Sequence, residues 1–197
     1  MKQMKSSIEQ RATKFVHDIY PFIKNCQSIG DYRERVEVYN KVTHRKVKVC
    51  NGAVRVCFVL SDYCVKIDFN AYGADCYGGC EDEYNFYRYA EEIGYDYLFA
   101  YINKIEVCGR IWYVMERIDN TCSEEHEWDY AENLVNYDES VWLQQNCQDL
   151  HNNNFGFKNG RIVIIDYAFN KLFKKRVGYY EESEEKTNDS CNSYQET

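Results

Sequence analysis

The stretch that decides the reading is residues 149–168, DLHNNNFGFKNGRIVIIDYA. It opens on an acid, Asp149, and places an amide, Asn154, five residues on. Two short strands, 155–157 and 161–166, then surround the turn Lys158-Asn159-Gly160, a hairpin signature. The second strand is the apolar run IVII, so it delivers another acid, Asp166, rigidly to its end. These are the residue types that phosphoryl transfer needs. One carboxylate orients an attacking hydroxyl and accepts its proton, and hard oxygen ligands hold Mg²⁺ against the phosphates. An Asp-x₄-Asn pair alone is ordinary in polar loops, so the rest of the chain must supply the partners.

Working outward, residues 46–50 (KVKVC) alternate, and 53–60 (AVRVCFVL) and 63–69 (YCVKIDF) are β-branched or aromatic around Ser61-Asp62. This reads as paired strands. Lys66 sits inside the second run, and an ammonium in an apolar strand needs a carboxylate, because burying it unpaired is expensive. The loop 71–80 (AYGADCYGGC) leads to a helix over 81–93 that offers Glu81 and Glu83. Phe86 and Tyr87 follow Glu83 at i+3 and i+4 and set it beside the core face. Glu81 precedes Tyr84 and Asn85 and fits less well, so Glu83 is the expected partner. Two more strands are predicted near 99–107 and 110–118, and YVMERID (113–119) is an apolar strand that turns polar.

Taken in order, these segments resemble the protein-kinase-like enzymes over about residues 46–170. The closer likeness is to aminoglycoside-phosphotransferase-type kinases and compact bacteriophage kinase-like proteins, which use Asp-Leu/Met-His-x-x-Asn as residues 149–154 do. The resemblance implies an α+β, minimal bilobal kinase-like fold. It would have a five-stranded antiparallel N-lobe sheet, one αC-like helix, a reduced helical C-lobe and added N-terminal helices. The implied division is a helical extension at 1–45, an N-lobe at 46–118, a truncated C-lobe at 119–180 and a disordered acidic tail at 181–197. By the same resemblance Asp149 is the catalytic base, Lys66 and Glu83 form the catalytic ion pair, and Asn154 and Asp166 are Mg²⁺ ligands. Met115 takes the gatekeeper position, the backbones of Glu116 and Ile118 meet adenine, Val56 and Cys64 cover its face, and Gly52 belongs to the phosphate loop.

The implied function is ATP-dependent transfer of the γ-phosphate to a hydroxyl of a protein or small molecule, with ATP and Mg²⁺ as cofactors. A phage protein acting on host machinery fits the likeness. The alternative is a pseudokinase that uses the same fold to bind a host protein, and a related enzymatic option is transfer of AMP. The sequence departs from the family in its glycine loop, where CNGAVRVCF keeps only Gly52. It reads Asp-Tyr-Ala where kinases read Asp-Phe-Gly. Only 31 residues follow Asp166, too few for an activation segment and a large substrate platform. The N-terminal helices are expected to supply packing that the missing lobe would have given.

Composition bounds the rest. The 197 residues are 45% hydrophobic, enough for a core, and include 19 Tyr that bring hydroxyls into it. The net charge of −8 is uneven. Residues 1–50 hold 11 Lys/Arg and 5 Asp/Glu, whereas 181–197 hold 6 acidic residues and one Lys. No nucleic-acid binder is expected, since that would show a dominant basic surface, although the basic N-terminal part suits an acidic partner. No apolar run is long enough for a membrane span, and MKQMKSSIEQRATKF lacks the apolar core of a secretion signal. The ten cysteines then read as reduced thiols of a cytoplasmic protein. Cys76 and Cys80 are spaced C-x-x-x-C with no second pair or nearby His, which disfavours zinc. Helices are predicted over 6–26, with a Ser6/Glu9 capping box, and from an Asp31/Glu34 box to about 44. Two more are expected over 123–134 and 137–147.

Overall fold

A computed structural model describes residues 2–51, 55–68, 78–118, 135–148, 150 and 154–177. They form an α+β fold. Two helices, α1 (Lys2–Ile23) and α2 (Ile29–Thr43), precede strands β1 (Lys48–Asn51), β2 (Arg55–Val59) and β3 (Tyr63–Asp68). Helix α3 (Cys80–Ile93) and a 3₁₀ turn (Asp96–Leu98) lead to β4 (Ile102–Val107) and β5 (Arg110–Glu116). Helix α4 (Tyr137–Asn146), the hairpin β6 (Phe155–Lys158) and β7 (Arg161–Ile164), and α5 (Lys171–Val177) complete the described chain. The first five strands make one antiparallel sheet in the order β1-β2-β3-β5-β4, and β6 and β7 pair separately.

Period-two alternation gives the sheet two faces. Val56, Phe58, Val65, Ile67, Trp112 and Val114 point to one side and pack with Phe15, Val16 and Ile19 of α1 and Tyr32, Val36 and Tyr39 of α2. Phe58 is the hub, with ring centroids 6.0 Å from both Phe15 and Tyr32 and 6.3 Å from Trp112. The two edge-on pairs, with Phe15 and Tyr32, add about 0.5–1.5 kcal/mol each beyond area burial. Cys64, Tyr113 and Met115 point to the other side. They share a core with Phe86, Tyr87 and Ala90 of α3 and with Phe155, Ile162 and Ile164 of the hairpin. The N-terminal helices therefore cover the sheet face away from Lys66. They complete the sheet and do not stand in for a second lobe, which corrects the expectation drawn from the short C-terminal part.

Element types follow the sequence closely, and the caps do not. Helix α1 begins at Lys2, because Lys, Gln and Met before Ser6 are good helix formers; Ser6 is not its cap. It runs two residues past Pro21, whose missing N–H falls in the last turn. Helix α2 starts at Ile29 under Ser28, whose hydroxyl accepts the Asp31 N–H at 3.2 Å while the Asp31 carboxylate accepts the Ser28 N–H at 2.9 Å. Asp31 is thus the far member of the box. Its N–H partners, Gln27 and Ser28, hold its carboxyl below the usual carboxylate range. Residues 99–101 follow the 3₁₀ turn and do not join β4. Phe99 makes a lone parallel bridge to Ile164, and the Ala100 N–H donates to the Ile164 carbonyl at 2.8 Å. The expected helix at 123–134 and the tail at 181–197 lie outside the described residues. Among the described residues no helix is long and apolar enough to cross a membrane.

Candidate functional site

Lys66 lies near the middle of β3 with Cys57 opposite on β2 and Tyr113 opposite on β5. Its Nζ donates to Glu83 Oε2 at 2.8 Å, with Lys66 6% and Glu83 0% exposed. Glu83 reaches it because Glu83, Phe86, Tyr87 and Ala90 form the buried stripe of α3. Glu81 turns toward β4 and β5, where it accepts from Lys104 at 3.0 Å and from the Tyr113 hydroxyl. The offset of the apolar residues therefore distinguished the two glutamates correctly.

The start of α3 is fixed from three sides. The Asp68 carboxylate, at the end of β3, accepts the Cys80 N–H at 2.9 Å. The Asp82 carboxylate accepts the Gly79 N–H at 2.9 Å and is held by Arg176 of α5 at 2.9 and 3.0 Å. Gly78 has φ +68°, and a Cβ there would lie 2.6 Å from the Ala168 carbonyl oxygen. Gly78 thus lets the chain entering α3 pass close to the segment that follows Asp166, and Gly79 leaves room for the Asp68 carboxylate, 2.9 Å from where a Cβ would lie.

Arg55, the first residue of β2, links that chain to the ion pair. Its Nη2 donates to both Asp166 oxygens, at 2.6 and 2.5 Å, and its Nη1 lies 3.4 Å from Glu83 Oε1. Lys66, Glu83, Arg55 and Asp166 therefore form a continuous quartet of two cations and two carboxylates. Burial opposes the charge on Lys66, but the surrounding negative groups, Glu83 first and Asp166 among them, together raise the ammonium pKa above its ordinary value. Burial would raise the Asp166 carboxyl, yet the Arg55 and Lys66 charges bring it below the usual range. Arg55, Lys66 and Asp166 thus keep their charges at neutral pH on this balance of burial against opposite charge.

Asn154 is buried at the base of the hairpin. Its carbonyl accepts the Ile165 N–H at 2.7 Å and the Asp166 N–H at 3.4 Å, so Asn154 and Asp166 are neighbours. Five of the residues singled out from sequence thus meet on one side of the sheet: Lys66, Glu83, Asp166, Asn154 and Cys64. Met115 lies opposite Cys64 on β5 and is buried in the same core, with Ile118 packed against its edge. The Glu116 N–H is taken by the Tyr101 carbonyl at 2.9 Å, and its carboxylate accepts from Lys158 at 2.5 Å. The Glu116 N–H is thus already used within the fold. Asp149 and Gly52 lie outside the described residues.

Val56 does not belong to this group. It is fully buried under α1 and α2 on the opposite face of the sheet, because a one-residue step along a strand reverses the face. Arg55 and Cys57 flank it and occupy the Lys66 side. Arg55 is the residue the sequence reading missed. The signal was present in AVRVCFVL, where one arginine interrupts an apolar strand as Lys66 interrupts the next.

The donors suit Mg²⁺ in kind, since Asp166 and Asn154 offer hard oxygens. Among the described residues no group of three or more His, Cys, Asp or Glu side chains can hold a metal by itself. One condition attaches, because both Asp166 oxygens are engaged by Arg55. Set against known proteins, the chain matches no protein-family model and no curated protein.

Proposed function

We propose that the chain is a kinase-like phosphotransferase that uses Mg-ATP, built on a minimal bilobal kinase-like fold. The observation that carries this reading is the buried Lys66–Glu83 pair, 2.8 Å long, between the third strand of a five-stranded antiparallel sheet and the helix that follows it. Kinases require such a strand-to-helix ion pair to hold the lysine on the nucleotide phosphates. The hairpin that presents Asp166 beside Asn154 on the same side of the sheet supports it further.

In this mechanism Glu83 fixes the Lys66 side chain so that its ammonium meets phosphate oxygens without reorganisation. Asp166 and Asn154 would hold a Mg²⁺ ion, which when bound would neutralise phosphate charge. Met115, Cys64 and Ile118 surround the base, and the Glu116 carbonyl and Ile118 backbone hydrogen-bond it. Asp149 orients the acceptor hydroxyl and receives its proton. The acceptor is a hydroxyl of a protein or small molecule, and a host protein is the proposed partner if the phage likeness holds.

The experiment is incubation of the full chain with ATP labelled at the γ- or α-phosphate, with and without a cell lysate. Label transferred from the γ-position, lost in Asp149→Ala while ATP still binds, is expected. Label from the α-position indicates AMP transfer, and full activity of Asp149→Ala refutes the assignment of the base. The second reading, a nucleotide-binding or protein-binding pseudokinase, is favoured by the guanidinium on Asp166. It predicts no transfer from either position.

A further inference from the structure

The quartet contains two positive and two negative side chains, so it has no charge left over. A magnesium-bound triphosphate is net anionic, and Lys66 is already committed to Glu83. A favourable phosphate site on this face therefore needs one more cation released from its partner. Arg55 is the group placed to provide it. Its side chain is 12% exposed, its Nη1 is buried without a hydrogen bond, and it holds Asp166, whose side chain is 38% exposed. The guanidinium fork carries several N–H donors, and it matches phosphate as well as carboxylate. Resting on the phosphotransferase reading, we infer that Arg55 is a phosphate-binding residue that exchanges the Asp166 carboxylate for the nucleotide phosphates as Asp166 passes to the metal.

This assignment also gives a reason for a sequence with one glycine between β1 and β2. A phosphate loop of several glycines works by bringing backbone N–H groups to the phosphates. An arginine at the first residue of β2 does similar work with side-chain N–H groups and positive charge. Glu83 keeps contact with the guanidinium through Oε1 during the exchange, so the arginine turns about a fixed carboxylate. In the nucleotide-free chain the same arginine closes Asp166 and makes Mg²⁺ alone a poor ligand.

The test compares the full chain with its Arg55→Gln and Arg55→Lys variants by calorimetric titration with Mg-ATP and with adenosine, and by relaxation titration with Mn²⁺ alone. Arg55→Gln is expected to weaken Mg-ATP at least ~10-fold, about what loss of one charge-assisted contact gives. Adenosine affinity should stay the same, and Mn²⁺ alone should bind more tightly because Asp166 is freed. Arg55→Lys keeps the charge without the fork and should fall between; it decides the matter if the Gln variant does not melt cooperatively. Equal Mg-ATP affinity in the variants and the parent overturns the role of Arg55 alone, as does a parallel loss of ATP and adenosine. Failure of the parent chain to bind Mg-ATP overturns the phosphotransferase reading and Arg55 with it.

Discussion

The two faces of the five-stranded sheet are built from the same strands and on different principles. Under α1 and α2 the strands present Val56, Phe58, Val65, Trp112 and Val114, and rings and aliphatic groups fill the space between them. On the other side the alternate residues include Arg55 and Lys66, met by Glu83 from α3; Lys66 and Glu83 are buried and Arg55 is part-buried. Hydrophobic burial stabilises the first face directly. A buried ion pair contributes little net stability, because desolvation offsets most of the Coulomb attraction, and apolar residues of the same volume often do as well. The first face makes the sheet stand, and on the proposed reading the quartet of the second serves a ligand.

Removing the first face should have the largest effect. A chain lacking residues 1–44 leaves Phe58, Val65 and Trp112 exposed, and it is expected to aggregate and show no cooperative thermal transition. A soluble truncation product that melts sharply would break the distinction. At the level of one side chain, Phe58→Ala should cost about 3–5 kcal/mol by chemical denaturation, the range for a buried aromatic. Its remaining folded fraction should bind Mg-ATP as the parent does.

The second face should behave in the reverse way. Replacing Lys66 and Glu83 together by Met and Leu removes both charges of the pair, while Arg55 and Asp166 keep each other. Stability should change by no more than ~2 kcal/mol in either direction, while Mg-ATP binding is lost. Glu83→Ala alone should be worse, by about 3–5 kcal/mol, because it leaves Lys66 buried without its carboxylate. A double variant that is much less stable yet still binds nucleotide would reverse the roles assigned to the two faces.

A smaller effect is expected from pH. Asp166 is depressed in the folded chain, so its share of stability is present above its ordinary pKa of 3.8 and lost as pH falls through the lower folded value. Lys66 is raised, so its share is complete below 10.5 and lost as pH rises beyond that. Burial also raises the phenols of Tyr87, Tyr101 and Tyr113 above 10.0, which adds to the loss on the alkaline side. Melting temperature should therefore be nearly flat between about pH 5 and 9 as far as these groups decide it, falling at both ends. An alkaline fall that survives removal of the Lys66–Glu83 pair belongs to the tyrosines and to the buried thiols of Cys80 and Cys147, which burial also raises.

Much of this was legible in the sequence, for reasons that differ along the chain. The strand lysine was visible because a charge in an apolar run violates its local pattern. Glu83 was separable from Glu81 because helical spacing sets each against different neighbours. The hairpin before Asp166 was visible because Asn159-Gly160 breaks two short apolar runs, and Asn159 and Gly160 indeed adopt positive φ. The face taken by Val56 was not legible, because it depends on register, and one residue of slip exchanges it with Arg55 and Cys57. The side of the sheet that α1 and α2 cover was hidden too, since an amphipathic helix announces that it is buried and not against what. Helix α5 escaped because its seven residues rely on the tertiary contacts of Asn170 with the Asp82 carbonyl and of Arg176 with the Asp82 carboxylate.

The central claim is that the Lys66 face holds a magnesium-bound nucleoside triphosphate, and thermal melting of the full chain with ATP tests it most directly. Melts with Mg²⁺ and ATP together, with each alone, and with Lys66→Met should show a rise only when both are present and only in the parent chain. At ligand about 100 times the dissociation constant the gain should approach ~2.7 kcal/mol. An unchanged transition in millimolar Mg-ATP, or an equal rise in the Lys66→Met variant, would contradict the account.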